Sequence, residues 1–145
     1  MAITTAMCTS FKSELLGGLH DLDTDSLKLA LIKASPSGTY GAATTNYSDV
    51  TGNSDEATGT NYTAGCQALD GASITTDGTT AIVDFTDEVF TNVTTSADGC
   101  IIYNTANSNS AIAVIDFGGT VSATAGDLTI QFPAADASNA IIRIA

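Results

Sequence analysis

From Gly65 to the last residue the chain repeats one pattern: a short run of alternating apolar and polar side chains, then a turn of Gly, Asn, Asp or Ser. Ala81, Val83 and Phe85 alternate with Ile82 and Asp84, and Val89, Thr91 and Val93 follow a short acidic turn. Cys100–Tyr103 and Ala111–Phe117 flank the polar run 104–110, which reads as a hairpin loop. Leu128, Ile130 and Phe132 alternate next, and residues 140–144 close the chain. A period of two puts successive side chains on opposite faces of a strand. With Leu27–Ala34 and Leu69–Thr75 included, about eight strands are expected at the short spacing of an antiparallel sandwich or barrel. No helical pattern separates them, which argues against a parallel α/β sheet, and no long repeat marks a solenoid or propeller. The expected fold is all-β: an antiparallel, jelly-roll-like β-sandwich over residues 1–145, in one domain.

Two segments depart from this pattern. Over residues 1–19, Ile3, Met7, Phe11 and Leu15 recur at every fourth position, as on one face of a helix, and Gly17-Gly18 supplies the stop. A helix or arm is expected there, with that stripe packed on the sheet or on a neighbouring subunit. Residues 35–65 hold Pro36, several glycines and many Thr, Asn and Ser. They read as a long surface excursion with a short strand near Val50. The strands around Ile101-Ile102 and Ile112–Ile115 are apolar on both faces, so the helix, a loop or another chain must cover the second face.

Composition narrows function by exclusion. The net charge is −12, and Lys12, Lys28, Lys33 and Arg143 are the four cations. Binding nucleic acid or an anionic lipid surface requires a cationic patch that four scattered bases do not make. Thr and Ser form about a quarter of the chain while charged residues form 14%, a balance that suits strand surfaces. No run approaches the length of a membrane-spanning helix, and the first residues lack a secretory pattern, so synthesis and folding in a cytoplasm are expected. Cys8, Cys66 and Cys100 are an odd, widely spaced set, expected as buried free thiols and neither a disulfide framework nor a zinc site.

Candidate chemistry is sparse, and no catalytic, metal or cofactor residues are assigned. His20 is the one histidine and reads as a surface or capping group at a turn. Asp21, Asp23 and Asp25 open like a calcium loop, but Ser26 stands where glycine is needed and Ile32 where the bidentate Glu belongs. Turn-forming aspartates account for the run equally well. Asp84 and Asp116 are the best carboxylate pair for a hydrolase, which would require both in one cleft. Asn46, Asn61 and Asn92 head glycosylation-type triplets of a kind expected by chance in a chain this rich in Thr and Ser.

Taken in order, several motifs resemble a family of small virion proteins of tailed bacteriophages. They are Phe11-Lys-Ser-Glu-Leu-Leu-Gly-Gly18, Asp21-Leu-Asp-Thr-Asp25, Leu27-Lys-Leu-Ala-Leu31, Gly59-Thr-Asn-Tyr-Thr-Ala-Gly65, Val83-Asp-Phe85, Gly99-Cys-Ile-Ile-Tyr103, Ile115-Asp-Phe-Gly118, Gly126-Asp-Leu-Thr-Ile-Gln-Phe132 and Ile141-Ile-Arg-Ile144. The resemblance runs from about residue 11 to 144. It implies a non-enzymatic cement or decoration protein on the capsid exterior. The expected partners are the major capsid protein and neighbouring copies in a dimer or trimer. It carries no catalytic residues. A rival within virions is a fibre, collar or tail module that reads a host receptor or glycan through Tyr40, Tyr47 and Tyr62.

Overall fold

The longest apolar runs lie at the centre of the molecule, where two strands exceed anything the turn residues suggest. The computed structural model describes residues 2–145. In chain order its elements are β1 (Ala2–Ile3), β2 (Ala6–Met7), helix α1 (Thr9–Leu16), β3 (Leu27–Lys33), β4 (Thr39–Tyr40), helix α2 (Ser48–Gly52), β5 (Gln67–Ala68), β6 (Ser73–Asp77), β7 (Thr80–Asp84), β8 (Glu88–Asn104), β9 (Ser110–Ile130) and β10 (Ile142–Ile144). Strand takes 48% of the chain and helix 11%, so the all-β antiparallel sandwich with a short helix is what forms. The main sheet runs β2-β9-β8-β3-β5, the second sheet β10-β7-β6, and β1 pairs in parallel with β4. Both sheets feed one buried cluster, in which Leu29, Ile101, Ile102 and Ile112 from the main sheet meet Val83 and Ile142 from the second.

β8 and β9 form one long hairpin, closed where Asn104 pairs with Ser110 around a 3-10 turn at Thr105–Asn107. The segments around Val93 and Cys100, expected as separate strands, are one strand, and so are those around Ile115 and Leu128. The residues read as turns between them become irregularities in the pairing. Register shifts fall between Phe90 and Val93, Val93 and Thr95, and Ala97 and Gly99. Such bulges bend a strand without ending it. Of Leu69–Thr75 only the last three residues are strand, the start of β6, and Gly71 at φ 65° lies in the turn that separates it from β5.

The N-terminal stripe is not one helix. Residues 2–7 lie extended: Thr4 N–H donates to the Tyr40 carbonyl, Ala6 pairs with Val114, and Cys8 N–H donates to the Ile112 carbonyl. The fourfold spacing of Ile3, Met7, Phe11 and Leu15 is carried by two short strands and then a helix. An extended segment also presents every second residue inward, so a period of four satisfies both conformations. The helix ends as expected. Gly18, at φ 75°, donates to Leu15 and Leu19 N–H donates to Glu14, a Schellman termination. Val50 sits in α2, not in a strand.

The excursion over residues 35–65 is held by two carboxylates, the buried Asp55 and the half-buried Glu56. Asp55 is fully buried and accepts from the Ser37 amide (3.0 Å), the Gly38 amide (2.7 Å), the Tyr40 hydroxyl (2.6 Å) and the Lys33 ammonium (2.9 Å). Burial alone would raise this carboxyl; the donors outweigh it and hold Asp55 well below the usual carboxylate range. Glu56 accepts from the hydroxyls of Tyr47 and Tyr62 and from the Gly65 amide. Tyr47 also stacks on Tyr103 at 4.4 Å, and Tyr103 donates to the Gly65 carbonyl. The excursion thereby covers part of the hairpin. Among the described residues no helix is long and apolar enough to cross a membrane.

Candidate protein-docking groove

One edge strand of each sheet, β2 of the main sheet and β10 of the second, borders α1, and the side chains between them leave a groove. On one bank stand Met7 at the end of β2 and Phe11, Lys12, Leu15 and Leu16 of α1. Arg143 and Ile144 of β10 form the other. The cavity is about 240 Å³ and its wall is almost wholly apolar. Phe11 is fully buried at its base, while Leu16 is 91% and Ile144 52% exposed. A leucine that open, on a helix anchored to the core by Phe11, adds little to this fold and marks a contact surface.

The helix is held rigidly enough to make one bank. Its C-terminal turn carries Glu14, which accepts from His20 Nε2 at 2.7 Å. His20 Nδ1 accepts from Asn104 Nδ2 (3.0 Å), and the same amide donates to Asp25 (2.6 Å). The His20 ring also packs edge-on against Phe11, with centroids 5.0 Å apart. His20 is therefore buried and structural, against its expected place at the surface. The cause is Asn104, a polar side chain at the closed end of the hairpin that burial obliges to find partners. Cys8, just before α1, is buried too. Burial first, then the nearby Asp49 and Glu14 carboxylates, pushes its thiol up to about 12.

Charge distinguishes the groove from the rest of the surface. Of the four cations, Lys33 is paired with Asp55. Of the other three, none makes an ion pair among the described residues, and two, Lys12 and Arg143, stand on this groove. Arg143 donates to the carbonyls of Ser138 and Ala140, which fixes its position, and its charge is felt by the Asp136 carboxylate, with which it makes no ion pair. In a chain of net charge −12 this is a local positive rim around an apolar floor.

Of the four stripe residues, Met7, Phe11 and Leu15 line the groove. Ile3 does not; its side chain packs over Gly99, where an added Cβ would fall 3.0 Å from it and 2.4 Å from the Ile115 carbonyl. Leu16 and Lys12 were legible as neighbours on the same helix, but Arg143 and Ile144 come from the far end of the chain, and no local pattern ties them to α1. The other candidates are scattered. Asp84 lies on β7 of the second sheet and Asp116 on β9 of the main sheet, and the cavity that Asp116 lines does not include Asp84. Asp25 accepts from the Asp21 amide, a turn bond. Among the described residues no group of three or more His, Cys, Asp or Glu is placed to hold a metal ion. Tyr40 is buried on Asp55, and Tyr47 and Tyr62 are half-buried on Glu56. Cys8 and Cys100 are buried free thiols as expected, whereas Cys66 is half-buried.

No family model, curated protein or solved structure matches the chain. The groove is thus described by its own chemistry: a preformed apolar slot with two cations, on an otherwise acidic surface.

Proposed function

We propose that the chain is a structural protein of a tailed-bacteriophage virion, decorating the outside of the assembled head and docking through the groove between α1 and β10. The observation that carries the docking part is the exposure of Leu16 and Ile144 on either side of an apolar slot whose rim holds Lys12 and Arg143. The virion assignment draws its support from the ordered motifs of residues 11–144. Three physical features are compatible with it. A charge of −12 keeps free subunits apart and gives no affinity for packaged DNA. The excursion is fastened by Asp55 and Glu56, so little ordering is required on binding. Repetition on a lattice turns individually weak contacts into durable attachment.

The test is binding of the purified protein to expanded, DNA-free shells of the phage that encodes it, followed by imaging. Ordered density at fixed lattice positions, with α1 and β10 facing the shell, is the expected result. Protein that ignores shells but attaches to host cells or glycans would replace this reading with receptor recognition.

A further inference from the structure

We infer that the groove accepts an extended segment of a partner protein, apolar in its middle and carrying carboxylates at its ends, which lies along the free edge of β10. This deepens the docking reading above and rests on it for biological context only. β10 is an outer strand of its sheet, paired to β7 on one side. β2, across the groove, is an outer strand of the main sheet. The apolar cavity does not end at Met7 and Arg143. A second cavity of about 430 Å³ begins at those two residues and runs on between Thr5-Ala6 and the stretch from Ser138 to Ile141. At its other end the groove meets a third cavity, of about 200 Å³, through Leu15 and Ile144. The first two form one trench between two open sheet edges, whereas the third is lined by Asp21 and by residues of β6, β7 and β10 and lies outside it. The length and narrowness of the trench suit an extended chain better than a helix, and an open strand edge offers such a chain backbone hydrogen bonds.

Charge selects the occupant. Lys12 and Arg143 sit on the apolar part of the trench, which no carboxylate lines, in a chain of net charge −12. A segment with flanking carboxylates meets attraction here and repulsion elsewhere, which fixes where it binds. A second copy of this chain is the less suitable occupant, because joining two bodies of charge −12 opposes association.

The probes are two synthetic seven-residue peptides with the same Val-Thr-Ile-Thr-Val centre, one ending in Asp at both ends and one in Lys. Binding to the full-length protein is measured by fluorescence anisotropy, and amide exchange at residues 142–144 is followed by NMR. The acidic peptide is expected to bind and the basic one not, with slower exchange at β10 and weaker binding as salt rises. Lys12→Glu and Leu16→Glu alter exposed side chains, so folding is retained. Each is expected to weaken the acidic peptide by about tenfold. Equal binding of the two peptides, no binding of either, or unchanged exchange at β10 would overturn the inference. So would sedimentation showing a dimer that Leu16→Glu dissociates, since the trench would then belong to a second copy. Shell binding that survives both substitutions would separate the two readings, removing the groove from decoration while leaving the peptide result to stand.

Discussion

Removing the Asp55 carboxylate should cost this protein a large part of its stability, and the structure says how much. Its side chain has no solvent exposure and gathers the Lys33 ammonium, two backbone amides and the Tyr40 hydroxyl. Breaking a buried ion pair by deleting one partner costs about 3–5 kcal/mol. Lys33 keeps 37% exposure and can turn to water, which places the charge component at the lower end. The buried Tyr40 hydroxyl loses its short acceptor, adding about 1 kcal/mol. Asp55→Ala should therefore destabilise by about 4 kcal/mol, out of the 5–15 kcal/mol typical of a whole domain. For a chain of this length that corresponds to a fall in Tm of roughly 8–16 °C. The sign with pH follows from the depressed carboxyl. Its contribution is complete above the ordinary carboxylate value of about 4 and is lost as pH falls below it. Urea denaturation of wild type and Asp55→Ala from pH 7 to pH 2 measures both effects. The gap between them should be widest at neutral pH and narrow as pH falls below about 4. A gap under about 1 kcal/mol at pH 7, or one that stays constant into acid, would refute the reasoning.

Two further outcomes follow from single sites. A Cβ at Gly59 would stand 1.8 Å from the Thr94 carbonyl oxygen, a backbone atom that cannot move aside, so Gly59→Ala should cost about 3 kcal/mol or more by thermal denaturation; a Tm unchanged from wild type would show that the excursion is not pressed against β8. In the folded protein a thiol reagent should label Cys66 first and slowly, its thiol being half-buried and raised chiefly by burial, while Cys8 and Cys100 react only on unfolding. Mass spectrometry of briefly labelled protein reads the order, and early labelling of Cys100 would contradict the packing.

How much of this could be read from the residues varies with the range over which the cause acts. β3 and the loop at residues 104–110 are local: alternation and a cluster of polar turn formers suffice. The end of α1 is local too, fixed by Gly17-Gly18. Gly99 and Gly118 misled because turn formers also serve as bulges, and only the partner strand decides which. The fourfold stripe misled because the main-sheet edge at Ile112–Val114 was available to pair residues 6–8, a contact more than a hundred positions away. The groove was half legible. Its helix bank follows from one short segment, but the opposing Arg143 and Ile144 arrive only through β10's pairing with β7.

The hairpin of β8 and β9 also sets an order in time. Asn104 and Ser110 are close in sequence, so their pairing closes a short loop, whereas Ala6 with Val114 and Ile142 with Val83 must close far longer ones. The hairpin is expected to be in place at the folding transition state, with both chain ends joining afterwards. Ile101→Val should then slow folding, and Phe11→Leu should mainly hasten unfolding, in stopped-flow measurements; the reverse pattern would reject the order. Since Met7, α1 and β10 arrive last, the slot they enclose is absent from every partly folded chain. Docking through it would act as a proofreading step, admitting only finished subunits to the assembly.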